Sequence, residues 1–176
     1  EFSALSLLNS IPEIRMAIAV DAMGGDSPLT FQVEASVRAV NDFGIEVILV
    51  GAEAQIKQEL KQYSYDQQKL RIVNSTEIVE MNESPASALR QKKDSSIRVA
   101  VDLVKAGEAE AVVSAGNTGA SMATAKFILK SVEGIERPAI ATLMPSVHRN
   151  HPFVLLDVGA NTDCKPLYLF QFALMG

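Results

Sequence analysis

Met16-Ala17-Ile18-Ala19-Val20-Asp21-Ala22-Met23-Gly24-Gly25-Asp26 is a short apolar run that ends in an aspartate and a Gly-Gly turn. Met16 to Val20 reads as a buried parallel strand, because it is continuously apolar and a loop follows it. Beyond the turn, Val33, Val37, Val40 and Phe43 recur at steps of four, three and three, the apolar stripe of an amphipathic helix. Gly44 closes that helix. Val47 to Val50 is a second buried strand, stopped by Gly51. Ile56 and Leu60 mark a short helix, and Leu70 to Val73 a third strand.

The pattern continues down the chain. Thr76 to Met81 alternates weakly, as an edge strand or a loop would. Pro85 suits the first turn of a helix with Ser84 as its cap. Ile97, Ala100, Val101 and Val104 line one face of the next helix, which ends at Gly107. Ala111 to Ser114 is a strand, and Asn117 to Lys130 a helix with Met122, Ala125, Ile128 and Leu129 on one side. Ala139 to Leu143 and Phe153 to Val158 are further apolar runs, and a last helix begins near Pro166. Strand and helix in alternation predict parallel pairing with right-handed crossovers, hence an α/β three-layer sandwich with a mostly parallel sheet. The apolar ending, Phe170 to Gly176, is expected to need a cover, as in one part of a longer protein. Glu1 to Glu13 has no basic leader ahead of its apolar stretch and reads as a cloning-derived or disordered extension. The domain proper is then residues 14 to 176.

Composition narrows the function. The chain has 176 residues, 48% apolar and 21% charged, which suits a globular domain with one sizeable core. Its net charge of −5 opposes general nucleic-acid binding, so an anionic partner must meet a local basic patch. A single cysteine, Cys164, makes no intrachain disulfide and fits a reducing, cytoplasmic setting. No apolar run approaches the ~20 residues of a membrane span.

Ligands of open α/β sheets bind beyond the carboxyl ends of the strands. Three such ends carry small, Gly-rich turns: Asp21 to Asp26, Ser114 to Ala120, and Asp157 to Asp163. Gly24 and Gly25 allow a sharp turn and a close backbone approach. Gly116, Asn117, Thr118 and Gly119 are expected to open a helix, and Gly159, Asn161 and Thr162 to do the same on another strand of the same sheet. N–H groups at a helix start suit an anion such as phosphate, although Asn, Thr and Gly are equally ordinary caps.

Other constellations are weaker. The dinucleotide, P-loop and serine-hydrolase fingerprints are absent. His148 and His151 lie in a Pro-bounded loop that reads as solvated rather than metal-binding. Cys164 has Lys165 beside it to lower its pKa but no orienting base, so it reads as a small packing residue. Arg90, Lys92, Lys93 and Arg98 form the densest basic run, a solvated face or a dock for an acidic partner or phosphate.

Taken together, DAMGGD (21–26), RQKKDSS (90–96), SAGNTGA (114–120), GIERPA (134–139) and LLDVGANTDCKP (155–166) resemble the bacterial phosphate acyltransferases of phospholipid synthesis. The resemblance runs from Met16 to Gly176. It departs at His148 to His151, where the family tends to place a smaller turn with glycine. It implies a fold related to the phosphotransacetylases and isocitrate dehydrogenases, a homodimer, no organic cofactor, and an N-terminal half whose counterpart carries much of the dimer and membrane contact. It also implies transfer of an acyl chain from acyl carrier protein to inorganic phosphate.

In that reaction phosphate is itself the nucleophile, so the protein must bring two anionic partners together and stabilise an oxyanion. Gly116 to Gly119 and Gly159 to Thr162 are then the expected phosphate holders, with Ser114 at the strand end and Lys165, two residues after Asp163, neutralising charge. Asp21 and Asp26 are expected to order loops, since a carboxylate beside phosphate repels it. Arg90, Lys92, Lys93 and Arg98 are expected to dock the acidic carrier. Two alternatives stay open: phosphotransacetylase-like coenzyme A chemistry, and a binding fragment without turnover.

Overall fold

The computed structural model describes residues 17–147, 152–159 and 163–176. Met16, the leader, the His148 to His151 loop and Ala160 to Thr162 lie outside the described residues. Four strands, β1 (Ala17–Asp21), β2 (Glu46–Gly51), β3 (Leu70–Asn74) and β4 (Ala111–Ser114), form one parallel sheet in the order β3-β2-β1-β4. Side chains alternate across a strand, and β2 shows the consequence. Val47 and Leu49 join Val33, Val37 and Val40 of α1 (Leu29–Phe43) and Ile56 and Leu60 of α2 (Glu53–Leu60). Ile48 and Val50 face the other way, onto Ala100 and Leu103 of α4 (Ser96–Lys105) with Ala17 and Ala19 of β1. Helices therefore cover both faces, the three layers expected. Burying each Val, Leu or Ile of β2 contributes roughly 1.5–3 kcal/mol.

Gly44 takes φ 68° and its N–H donates to the Val40 carbonyl at 3.0 Å, closing α1 as anticipated. Phe43, however, is 76% exposed rather than part of the buried stripe. Each step of three falls about 60° short of a full turn at 3.6 residues per turn, so two in succession carry Phe43 off the sheet-facing side.

The segment Thr76 to Met81 is a loop. A lone bridge pairs Glu77 with Ser95, and Thr76 donates from both N–H and Oγ to Asp94 Oδ2. Pro85 opens α3 (Pro85–Gln91), but Ser84 makes no side-chain capping bond. On α5 (Thr118–Leu129) the buried residues are Ala120, Thr124 and Ile128, at steps of four, while Leu129 is exposed. Ala120 and Ile128 pack with Ala88 of α3 and with Ile97 and Val101 of α4. Helical rise by fours tracks the neighbouring helices more closely than the stripe read from Met122 to Leu129.

The remaining apolar runs do not extend the main sheet. β5 (Ala141–Met144) and β6 (Phe153–Leu156) pair antiparallel as a separate two-stranded sheet. Only residues 145–152 join them, too few for the crossover that parallel pairing requires. The last helix, α6 (Pro166–Met175), starts as expected and buries Gln171 and Phe172. The Gln171 amide donates to Gly134 O at 2.8 Å and accepts from Glu136 N–H at 3.0 Å, holding the turn before β5. Among the described residues no helix is long and apolar enough to cross a membrane.

Candidate functional site

β1 sends its chain to α1 on one face of the sheet, and β4 sends its chain to α5 beside α4 on the other. Strand order reverses between them, which makes their carboxyl ends the switch point where α/β sheets bind ligands. Asp21 and Ser114 are register partners there. Asp21 is buried, and both its oxygens are engaged: Ser114 Oγ–H donates to Oδ2 at 2.7 Å and Met23 N–H to Oδ1 at 3.2 Å. Ser114 Oγ in turn accepts Gly116 N–H at 3.1 Å.

The two loops touch backbone to backbone. A Cβ on Gly24 would collide with the Asp21 carboxylate and stand 3.0 Å from Gly116 N. Gly25 takes φ 96°, and a Cβ there would stand 2.7 Å from Ala115 O. Gln32 Nε2, on α1, donates to Gly24 O at 3.0 Å and fixes the first loop from the side.

Asn117 and Gly119 also hold neighbouring elements together. Asn117 Oδ1 accepts Ala120 N–H at 3.0 Å as the cap of α5. Its Nδ2 donates toward the carbonyls of Glu80, Met81 and Glu83, at 3.2, 3.0 and 2.9 Å. The side chain thus latches the turn before α3 to the start of α5. Gly119 lies against Pro85, whose ring would stand 2.8 Å from a Cβ. Thr118 and Gly119 keep first-turn N–H groups that helix geometry leaves without an internal acceptor.

Between α4, β4 and α5 lies a cleft of about 370 Å³. Ser114, Gly116, Thr118 and Ser121 form its polar rim, and Val112, Met122 and Ile140 lie on its apolar side. Ser121 went unnoticed in the sequence, although its place one turn into α5 puts it on the same face as Thr118.

The third Gly-rich loop is placed differently from the sequence expectation. It follows β6, so it ends a strand of the two-stranded sheet and not of the sheet that carries the other two loops. It remains linked to the cleft, since Asp157 N–H donates to Ile140 O at 2.7 Å. Asn161 and Thr162 lie outside the described residues. Gly159, Asp163 and Lys165 are exposed, as is Asp26 on the first loop, and Lys165 Nζ lies 5.9 Å from the centre of the Tyr168 ring. Cys164 is exposed, not packed, and its Sγ lies 3.4 Å from Asp157 Oδ2. Desolvation and that carboxylate push its thiol up, opposite to the lowering expected from Lys165.

The basic run divides. Arg90, Lys93 and Arg98 line a cleft of about 320 Å³ with Leu89 and Phe127. Arg98 donates to Leu89 O at 3.4 Å and stands 5.9 Å from the centre of the Phe127 ring. Lys92 turns inward instead, pairing with Glu83 Oε2 and donating to Ile78 O, each at 2.5 Å. The Lys92 hydrogen bond holds the Glu83 carboxyl below its ordinary value.

A phosphate acyltransferase of Geobacter sulfurreducens is 50% identical over 161 residues, covering 92% of this chain and 46% of its own length. The Syntrophomonas wolfei phosphate acyltransferase is 51% identical over 162 residues, covering 92% of this chain and 50% of its own. The chain thus spans about half the length of these curated relatives. A phosphotransacetylase structure from Streptococcus pyogenes superimposes with a TM-score of 0.68 at 22% identity, covering 98% of this chain and 56% of that one. That likeness bears out the expected fold. The family model described as fatty acid synthesis protein matches residues 16–176, and the chain belongs to that family.

Proposed function

We propose that this chain forms the phosphate-binding half of an acyltransferase that converts a long-chain acyl thioester of acyl carrier protein into an acyl phosphate for glycerophospholipid synthesis. The observation that carries the reading is the cleft at the switch point, where Gly116, Thr118 and Ser121 rim an apolar wall. The family and the names of the relatives support the same chemistry.

In the proposed step a phosphate oxygen attacks the thioester carbonyl. A C–O bond forms, the C–S bond breaks, and the electron pair leaves on sulfur, which takes up a proton. The N–H groups of Thr118 and Gly119 and the Thr118 hydroxyl hold phosphate at the positive end of α5. From the third loop, whose Asp157 N–H is tied to Ile140 O on the cleft wall, Gly159 and Lys165 add to the anion site. Asp21, with both oxygens engaged, keeps the loops in register and does not act as a base. Arg90, Lys93 and Arg98 dock the acidic carrier by charge complementarity.

The test is phosphate-dependent consumption of palmitoyl-acyl carrier protein, with acyl phosphate trapped by hydroxylamine. This chain is assayed beside a version extended to the length of its relatives. Turnover by both places the chemistry within these residues. Turnover by the extended version alone makes this chain a half-site. Consumption of acyl coenzyme A in place of the carrier thioester, or silence from a folded extended protein, overturns the proposal.

A further inference from the structure

The basic cleft is assembled from separate elements. Arg90 comes from α3, Lys93 from the turn after it and Arg98 from α4, with the Phe127 ring of α5 among them. Phe127 is 52% exposed, and aromatic rings left half outside a fold are enriched in the contact surfaces of proteins. A fourth cation reaches the same ring. Lys130 Nζ stands 5.1 Å from its centre, on the side chain that ends α5, and Arg98 Cζ stands 5.9 Å away. Lys130 lies well beyond the basic run in sequence, so the run alone does not announce it.

Two features separate this patch from a solvated helix face. Arg38 and Lys57, on the outer faces of α1 and α2, each have a carboxylate four residues away. Arg90, Lys93 and Lys130 pair with no carboxylate among the described residues, and Arg98 reaches only Asp102, at 3.8 Å. The backbone of Lys130 is the second feature. It takes φ 72° and ψ 178°, a region that only glycine occupies without strain. Such conformations persist where the surrounding structure imposes them, and they gather at ligand clamps. On a chain of net charge −5, cations gathered around one exposed aromatic fit an acidic partner that also offers apolar surface. On a helix, carboxylates three or four residues from an apolar side chain stand about 5–6 Å from it. Arg98 and Lys130 are set at that same spacing from the Phe127 ring.

We infer that Phe127 is the apolar anchor of the carrier dock, seated against one apolar side chain on an acidic helix of the carrier. Carboxylates one turn away from that side chain meet Arg98 and Lys130, while Arg90 and Lys93 take those beyond. The inference rests on the acyl-transfer reading above and adds the contact that gives the dock its affinity. Interface energy concentrates in a few side chains that lose water completely, and the ring is placed to be one of them. The cations around it raise the rate of encounter and reject basic partners. The contact is with the protein surface of the carrier and not with its acyl arm.

The test is calorimetric binding of acyl carrier protein, with its thiol arm unacylated, to the extended protein at low and at moderate salt. Phe127→Ala should weaken binding by about tenfold or more at both salt concentrations. Lys130→Gly should weaken it by about three- to tenfold at low salt and by less as salt rises. Its Tm should hold or rise, because glycine accepts φ 72°. Lys105→Ala, which removes an exposed cation from the end of α4, should change binding by less than about twofold. Turnover of palmitoyl-pantetheine, which lacks the carrier protein, should be the same in all three variants. Unchanged carrier binding in a folded Phe127→Ala overturns the dock, as do equal losses from Lys105→Ala and Lys130→Gly. Variants that keep the carrier but lose attachment to phosphatidylglycerol vesicles also overturn it, and make the patch a membrane contact. Turnover of the carrier thioester with an unaltered KM in Phe127→Ala removes the dock and leaves the transfer chemistry standing. Weakened carrier binding in the variants of a folded protein that consumes no thioester keeps the dock and removes the transfer reading.

Discussion

Ser114 Oγ–H donates to Asp21 Oδ2 at 2.7 Å, joining the carboxyl ends of β4 and β1 at one register position. The bond crosses 93 residues of sequence and holds together the two loops that border a cavity on each face of β4. Ser114→Ala removes a donor from a buried carboxylate and an acceptor from Gly116 N–H. It should lower stability by about 1–3 kcal/mol. Urea unfolding reads the effect, and an unshifted midpoint would show that the bond does not organise the loops.

Asn117 separates a latch from a ligand contact. Asn117→Asp keeps the cap on α5 but turns a carboxylate toward the carbonyls of Glu80, Met81 and Glu83. It should destabilise the fold more than the loss of about 1 kcal/mol typical of removing a cap outright. Asn117→Asp with wild-type thermal stability and lost phosphate binding would reverse the assignment and make Asn117 a ligand contact.

The basic run should split in experiment as it does in structure. Lys93→Glu and Arg90→Glu, on the cleft with Phe127, should raise KM for the carrier thioester in the extended protein and flatten its salt dependence. Lys92→Met should act on stability instead. Glu83 is held below its ordinary carboxyl value by Lys92, so its contribution is full above that ordinary value and is lost as pH falls through the lowered one. Lys92→Met should therefore lower Tm at neutral pH and lose that disadvantage in acid. A KM effect from Lys92→Met equal to that of Lys93→Glu, without a change in Tm, would refute the division.

Cys164 should be a slow thiol. Desolvation and Asp157 raise its pKa above the ordinary thiol value, so less of the reactive thiolate is present at a given pH. Alkylation by iodoacetamide should show its pH midpoint above that of free cysteine, and Asp157→Asn should move it down. A midpoint below free cysteine would restore the influence of Lys165 that the sequence suggested. Cys164→Ser should leave phosphate binding intact.

Much of the fold was legible because it rests on local pattern. Buried strands are continuous apolar runs, and Gly44, Gly51 and Gly107 punctuate them, so β1, β2, β3 and the helices between them fell where expected. The errors came where a local rule met a tertiary limit. Phe43 continued a helical stripe past the edge of the sheet. Ser84 had the right identity for a cap but does not use it. The apolar runs Ala139 to Leu143 and Phe153 to Val158 carry no pairing direction of their own, and the short link between them makes β5 and β6 a hairpin. The loops were legible as candidates, because Gly-rich turns after apolar strands are rare enough to stand out. Their roles were not. Asn117 carries hydrogen bonds to the turn before α3 that its motif does not announce.

The amino-acid order alone determined that apolar runs alternate with amphipathic helices and that small, polar turns end three of the strands. Those properties follow from the periods of 2 and 3.6 residues, which are properties of the backbone and need no partner. Only the tertiary structure decided which turns meet. Parallel order β3-β2-β1-β4 sets Asp21 beside Ser114 and leaves one groove on each face of β4. The Asp21–Ser114 contact joins residues far apart in sequence, and its energy exists only once the sheet has closed the distance between them.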